Sequence, residues 1–105
     1  MLDKFTVVYS QYFGTNPDHL PQIWFDLATW QVSRAGQPLK LNPACLKLLE
    51  LLMRKSPGVV RREEMEFALW GDQPPPSDSL RSHLHLLRQA VDRPFPHSLL
   101  HTVHG

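Results

Sequence analysis

Apolar and polar residues alternate in short runs along the first part of the chain. Phe5, Val7 and Tyr9 fit one short strand. The stretch from Ile23 to Leu41 predicts two or three short antiparallel strands, in the runs Phe25-Asp26-Leu27, Trp30-Gln31-Val32 and Leu39-Lys40-Leu41. A turn is expected at Ala35-Gly36-Gln37, because glycine tolerates a positive φ angle.

The pattern changes to a helical spacing after Leu41. Asn42 suits the N-cap of a helix, and Pro43 suits its first position. The residues that follow are apolar on almost every side of a helix, which predicts that this helix is buried. The breakers Ser56-Pro57-Gly58 are expected to end it, and Val59-Val60 to add a short extended piece.

Two more helices and a final strand complete the predicted order. The second helix is expected from about Arg62 to Trp70, where Gly71 stops it. A stiff, proline-rich loop separates it from a third helix, which we predict over about residues 77–91, with Ser77 or Asp78 as its cap. The segment Leu99–Val103 is then expected to form a strand.

The faces of the third helix follow from a rotation of about 100° per residue. The stripe facing the core consists of Leu80, Leu84, Leu87 and Val91. A polar stripe beside it consists of Arg81, His85 and Arg88, while Asp78, Ser82 and Gln89 point away from the core. The remaining flank consists of Ser79, His83, Leu86 and Ala90. The exposed side therefore offers groups that hydrogen-bond to phosphates and base edges. Any solvated helix face offers similar groups, so spacing alone leaves both interpretations open.

Composition narrows the possibilities without selecting a function. The chain has 105 residues, 42% hydrophobic and 20% charged, as expected for one small globular domain. Its net charge of +1 does not by itself indicate a nucleic-acid partner. The single cysteine, Cys45, excludes an internal disulfide and fits a reducing compartment. No secretory signal peptide and no membrane span are expected.

Five short motifs follow one another in a characteristic order. They are Leu39-Lys40-Leu41-Asn42-Pro43 with Leu48-Leu49-Glu50-Leu51-Leu52, then Gly58 to Met65, Leu69-Trp70-Gly71, His83 to Arg88, and His101-Thr102-Val103-His104-Gly105. In this order the chain resembles the DNA-binding effector domain of OmpR/PhoB-type response regulators, from about Ile23 to Gly105. The resemblance implies an α+β fold of the winged helix-turn-helix type. This fold has an N-terminal antiparallel sheet, three helices and a C-terminal wing hairpin, here truncated at Gly105.

The same resemblance implies how the domain works. Residues 23–105 would form the domain, and residues 1–22 a linker remnant or an extra edge strand. The third helix would enter the major groove of double-stranded DNA, with the wing in the minor groove. The loop at residues 71–77 would contact RNA polymerase, and two copies would bind DNA as a dimer. A receiver domain, absent from this sequence, would precede the domain in a bacterial cytoplasmic protein.

Site residues carried over by position divide into three groups. Contacts to the DNA backbone are implied for Trp70, Ser79, His83, His85 and Arg88. Ser82 and Leu86 would face the bases, and His104 would stand at the tip of the wing. Arg81 belongs to the same exposed stripe, at a position where the family often has an acidic residue. The family often has arginine where His85, Leu86 and His104 stand, so we expect weaker phosphate attraction.

The sequence therefore predicts sequence-specific binding to double-stranded DNA. The alternative is a protein-interaction module on the same scaffold, which the missing arginines and an exposed Leu86 would favour. Histidines in place of arginines also suggest a DNA affinity that rises below about pH 6.5. We expect no cofactor, no metal site and no catalysis, because His83 and His85 diverge on a helix and no nucleophile stands beside a base.

Overall fold

The computed structural model describes residues 4–7, 11–13, 23–55, 58–77, 79–96 and 98–103. Three helices and two small sheets lie within these ranges. In chain order they are β1 (Lys4–Val7), β2 (Gln11–Phe13), β3 (Ile23–Asp26), β4 (Gln31–Arg34), β5 (Gln37–Leu39), α1 (Pro43–Lys55), β6 (Val60–Arg61), α2 (Arg62–Trp70), α3 (Ser79–Val91) and β7 (Leu100–Val103). The α+β winged-helix class predicted from the sequence is confirmed.

The first sheet has the order β2-β3-β4-β5. β3, β4 and β5 are antiparallel neighbours, as predicted, while β2 pairs with β3 in parallel. The turn between β4 and β5 lies at Ala35 and Gly36, whose φ angles are 51° and 82°. Two successive positive φ angles fit the right-handed twist of a hairpin, which explains why a glycine stands here. β4 begins one residue later than predicted, because Trp30 has a φ angle of 57° and belongs to the preceding turn.

The second sheet joins the two ends of the chain. β1 is its middle strand, antiparallel both to β6 and to β7. The strand expected after the third helix is therefore present as β7, and its described partner is β1. Residues 1–22 contain both β1 and β2, of which only β2 lies at the edge of its sheet. The limits of the domain at residues 23 and 105 stay a prediction.

The helices follow their local sequence signals closely. The Cys45 N–H donates to the Asn42 side-chain oxygen at 2.8 Å, so Asn42 caps α1 as predicted. The bounds of α2 agree with the prediction. Ser77 or Asp78 was expected to cap α3, and the helix begins at Ser79, directly after these two positions. The Ser77 and Ser79 hydroxyls share a hydrogen bond of 2.8 Å, so Ser77 interacts with the helix start from outside it.

A single hydrophobic core lies under all three helices. The four apolar residues predicted to face inward from α3 are all buried. They pack with α1, whose Leu48, Leu49 and Leu52 have no exposed surface. The other members of the core are Ile23, Phe25, Val32, Cys45, Met53, Val60, Met65, Leu99 and Leu100. The core thus fixes which face of α3 points to solvent.

One ion pair among the described residues is buried. The Arg34 side chain has no exposed surface, and its Nη1 atom lies 3.1 Å from the Asp92 carboxylate. Burial lowers the pKa of the Arg34 guanidinium below its ordinary value, although Asp92 acts in the opposite direction. The same Nη1 donates to the Val91 carbonyl at 2.5 Å, and the guanidinium lies 4.6 Å from the centre of the Phe95 ring. Asp92 in turn accepts the N–H groups of Leu99 and Leu100.

We predict that Asp92→Ala lowers the free energy of unfolding by about 3–5 kcal/mol, because it leaves a buried guanidinium uncompensated. Urea unfolding followed by circular dichroism measures this change. Arg54→Ala is the matched control, since Arg54 makes a largely exposed ion pair with Glu50 worth about 0–1 kcal/mol. Equal losses in the two variants would contradict the structural role of Asp92.

Candidate nucleic-acid interface

The exposed face of α3 has a shallow depression with a volume of about 470 Å³. Its lining residues are Arg81, Ser82, His85 and Leu86, which are all exposed. Leu86 is 45% exposed to solvent. An apolar side chain therefore stands among three side chains that can form hydrogen bonds. Ser82 and Leu86 are the two residues for which base contacts were predicted, and the structure brings them together with Arg81 and His85.

A second group of predicted residues lies near the N-terminal half of α3. The rings of Trp70 and His83 are 6.1 Å apart between centroids and inclined by 41°. Both side chains are half-buried, and the Nδ1 atom of His83 has no hydrogen-bond partner among the described residues. Ser79 stands at the first position of the helix, also half-buried. Trp70 at the end of α2 and His83 in α3 thus form one small surface.

The position of α2 depends on contacts at its first turn. Arginine has no acceptor atom, so Arg61 cannot cap the helix as a serine would. Instead the Glu64 carboxylate accepts the Arg61 N–H at 3.3 Å and lies 3.1 Å from the Lys55 Nζ atom. The hydrogen bond from Lys55 and that from the Arg61 backbone lower the pKa of the Glu64 carboxyl. The Glu64 carboxylate, which reaches back to the start of α2, thus takes the place of an N-cap side chain.

The end of α2 is set by Gly71. Its φ angle is 66°, a region where residues with a Cβ atom are strained, and its N–H donates to the Phe67 carbonyl at 2.8 Å. The chain then leaves the helix directly after Trp70. Gly71 therefore determines where the Trp70 ring stands against His83 and where the 71–77 loop begins.

Cys45 connects α1 to the middle of α3. Its thiol lies 3.5 Å from the His83 carbonyl, to which it donates a weak hydrogen bond, and only 1% of the residue is exposed. Burial raises the pKa of the Cys45 thiol, although a hydrogen bond between the thiol and the Asn42 backbone acts in the opposite direction. The cysteine is a small core residue at the contact between the two helices.

Several polar residues at the C-terminal half of α3 were missed by the sequence analysis. A second cleft is lined by His85, Arg88, Gln89, Asp92, Arg93, Ser98, Leu100 and His101. His85 and Arg88 were predicted to contact the DNA backbone. Arg93 follows the last core position of α3, and His101 lies on β7, so only the packing of the helix end against that strand brings them to the same cleft. A long-range contact of this kind leaves no local signal.

Other predicted features have different outcomes. His104 lies outside the described residues, so its place at the wing tip stays a prediction. Within the described ranges, no group of three or more histidine, cysteine or acidic residues is arranged to hold a metal ion. Within the same ranges, no helix is long and apolar enough to cross a membrane.

The order of elements and the exposed polar face of α3 define a winged-helix domain of the DNA-binding class. The family described as "Transcriptional regulatory protein, C terminal" matches residues 36–105, and the chain belongs to this family of OmpR/PhoB-type DNA-binding domains. The family comprises domains of transcription regulators and is not a class of enzymes.

Similar proteins include known regulators. The chain is 38% identical over 98 residues to Protein RcaC of Microchaete diplosiphon, a match that covers 88% of this chain and 15% of that protein. It is 39% identical over 72 residues to Transcriptional regulatory protein QseB of Escherichia coli O157:H7, covering 68% and 31%. It is 34% identical over 85 residues to Response regulator protein PmrA of Pseudomonas aeruginosa, covering 80% and 37%. The chain thus spans well under half the length of each relative.

We predict that the Cys45 thiol of the native protein reacts slowly with a disulfide reagent such as DTNB at neutral pH. Burial both blocks access and raises its pKa, which lowers the fraction of reactive thiolate. The same protein unfolded in urea should react at the rate of a free cysteine, which serves as the control. Rapid labelling without urea would contradict the contact between α1 and α3.

Proposed function

We propose that this domain binds double-stranded DNA in a sequence-specific manner, with α3 in the major groove. The observation that carries the proposal is the depression on α3, where Arg81, Ser82 and His85 surround Leu86. Arginine and serine hydrogen-bond to base edges, and an apolar side chain can contact the methyl group of thymine. The family to which the chain belongs supports the same assignment.

The exposed residues divide by role in this proposal. Ser82 and Leu86 face the bases, and His85 and Arg81 lie beside them. Trp70, Ser79, His83 and Arg88 contact the sugar-phosphate backbone and hold the helix in register, which base contacts alone do not do. His104 would add a contact in the minor groove.

We also propose a setting for the domain within a longer protein. PmrA is named a response regulator, and this chain is similar to 37% of its length. A receiver domain would precede the present chain and control its dimerisation, in the cytoplasm of a bacterium. The 71–77 loop would contact RNA polymerase, since six of its seven residues carry polar side chains or are prolines and most are exposed.

We predict that Ser82→Ala and Leu86→Ala change the order of preference among duplex sequences, by about 1–3 kcal/mol at the contacted base pair. Arg88→Ala should instead weaken binding to all duplexes about equally. Selection from a random duplex pool followed by mobility-shift titration measures both effects. Lys47→Ala, an exposed change on α1, is the control and should behave like the unaltered protein.

Two outcomes of these titrations would decide against the proposal. Absence of binding to mixed duplex DNA at about 50 mM salt would favour the protein-interaction alternative, because non-specific electrostatic binding is strongest at low salt. An unchanged affinity of Arg88→Ala across salt concentrations would contradict the backbone role of Arg88.

A further inference from the structure

The cleft between the C-terminal half of α3 and the start of β7 has a volume of about 580 Å³. This volume falls within the range of about 300–1,000 Å³ that small-ligand sites occupy. Its lining, however, is mostly charged or polar, with Leu100 as its one apolar residue. Sites for small organic ligands are lined mainly by apolar side chains, so the chemistry of this cleft favours an ion or a charged group.

The charge of the cleft is positive. Arg88 and Arg93 contribute two permanent positive charges. Among the described residues, Asp92 is the only carboxylate that lines the cleft. Its Oδ1 atom lies 3.1 Å from the buried Arg34 guanidinium, and the carboxylate accepts two backbone N–H groups, so its negative charge is compensated from inside the protein.

Arg93 is well placed to bind an anion at the mouth of the cleft. Its N–H donates to the Arg88 carbonyl at 3.2 Å, which fixes its backbone just after the last turn of α3. The side chain is exposed and has no ion pair with any described carboxylate. The C-terminal end of a helix disfavours an anion by about 0.3–1 kcal/mol. Two arginines outweigh this effect, because a planar guanidinium binds a phosphate through two parallel hydrogen bonds.

The neighbouring surface indicates which anion the cleft binds. His85 lines both this cleft and the depression of Arg81, Ser82 and Leu86, so the two are neighbours on α3. We infer that the cleft binds one backbone phosphate of duplex DNA, next to the base pairs that the depression contacts, with Arg93 and His101 as ligands. This inference rests on the proposed function, and it adds Arg93, Gln89, Ser98 and His101 to the interface.

Arg93→Ala tests the inference by salt-dependent mobility-shift titration on a single duplex. Loss of one phosphate contact should reduce the slope of log affinity against log salt by about 0.9. The variant should therefore lose about 3.5-fold more affinity, relative to the unaltered protein, at 50 mM salt than at 200 mM salt. Arg93→Lys keeps the charge and should restore the slope, with a lower affinity because two parallel hydrogen bonds are lost. Arg54→Ala, which removes an exposed arginine on α1, is the control.

The outcomes separate this inference from the function on which it rests. If Arg93→Ala leaves the slope unchanged while Ser82→Ala alters sequence preference, the cleft holds no phosphate but the domain still binds DNA. If the unaltered protein binds no duplex, the proposed function itself fails. Arg93 is exposed, so its replacement should leave the free energy of unfolding in urea unchanged. If Arg93→Ala were less stable, its weaker binding would result from misfolding, and the assignment of Arg93 would be overturned.

A direct measurement uses inorganic phosphate as the probe. In ¹H–¹⁵N spectra, titration with phosphate should shift the amide signals of Arg93, Leu100 and His101, and His101→Gln should weaken these shifts. Shifts of equal size around Arg54 and Lys55, on the last turn of α1, would show non-specific ion binding and overturn the inference. An absence of shifts at the cleft would do the same.

Discussion

The buried ion pair between Arg34 and Asp92 is the contact on which the arrangement of the domain depends. The two residues are 58 positions apart, and their contact joins the first sheet to the end of α3. Asp92 also accepts the N–H groups at the beginning of β7, so one carboxylate positions three elements. A buried pair of charges adds little net stability compared with apolar packing, because both charges lose their hydration. The ion pair does, however, destabilise every conformation in which Arg34 or Asp92 is buried without the other. In this domain, a shift of the C-terminal end of α3 would produce such a conformation.

This constraint determines which surface α3 presents. The core residues of α3 fix the rotation of the helix, and the ion pair at Asp92 fixes its end against β4 and β7. Ser82 and Leu86 therefore point to solvent from the middle of the helix, and Arg93 stands just beyond its C-terminal end. Cys45 makes a further contact at the middle of the helix. A binding helix held at several points needs little rearrangement when it meets a rigid duplex, which lowers the cost of association.

The helix boundaries of this fold were predictable where residues next to them in sequence favour a helix start or a helix end. The bounds of α2 could be read because Glu63 and Glu64 favour its first turn and Gly71 ends it. For α3 the sequence offers two caps, Ser77 and Asp78, because serine and aspartate both suit an N-cap, and the structure begins the helix at Ser79. The pairing of β1 with β6 and β7, and the contact of Arg34 with Asp92, join segments that are distant in sequence. Periodicity shows that such segments are strands or helices, but not which partners they choose.

The distribution of charge explains how a helix poor in arginine can still serve as a binding surface. The family often has arginine where His85 and Leu86 stand, so the middle of α3 has lost permanent charge by comparison. The structure places Arg88 and Arg93 in one cleft at the end of the helix, where Asp92 is already compensated by Arg34. If Asp92 lacked that partner, its carboxylate would cancel one of the two arginines and the cleft would attract phosphate weakly. The interaction that holds the fold together is thus also the one that leaves this surface positive.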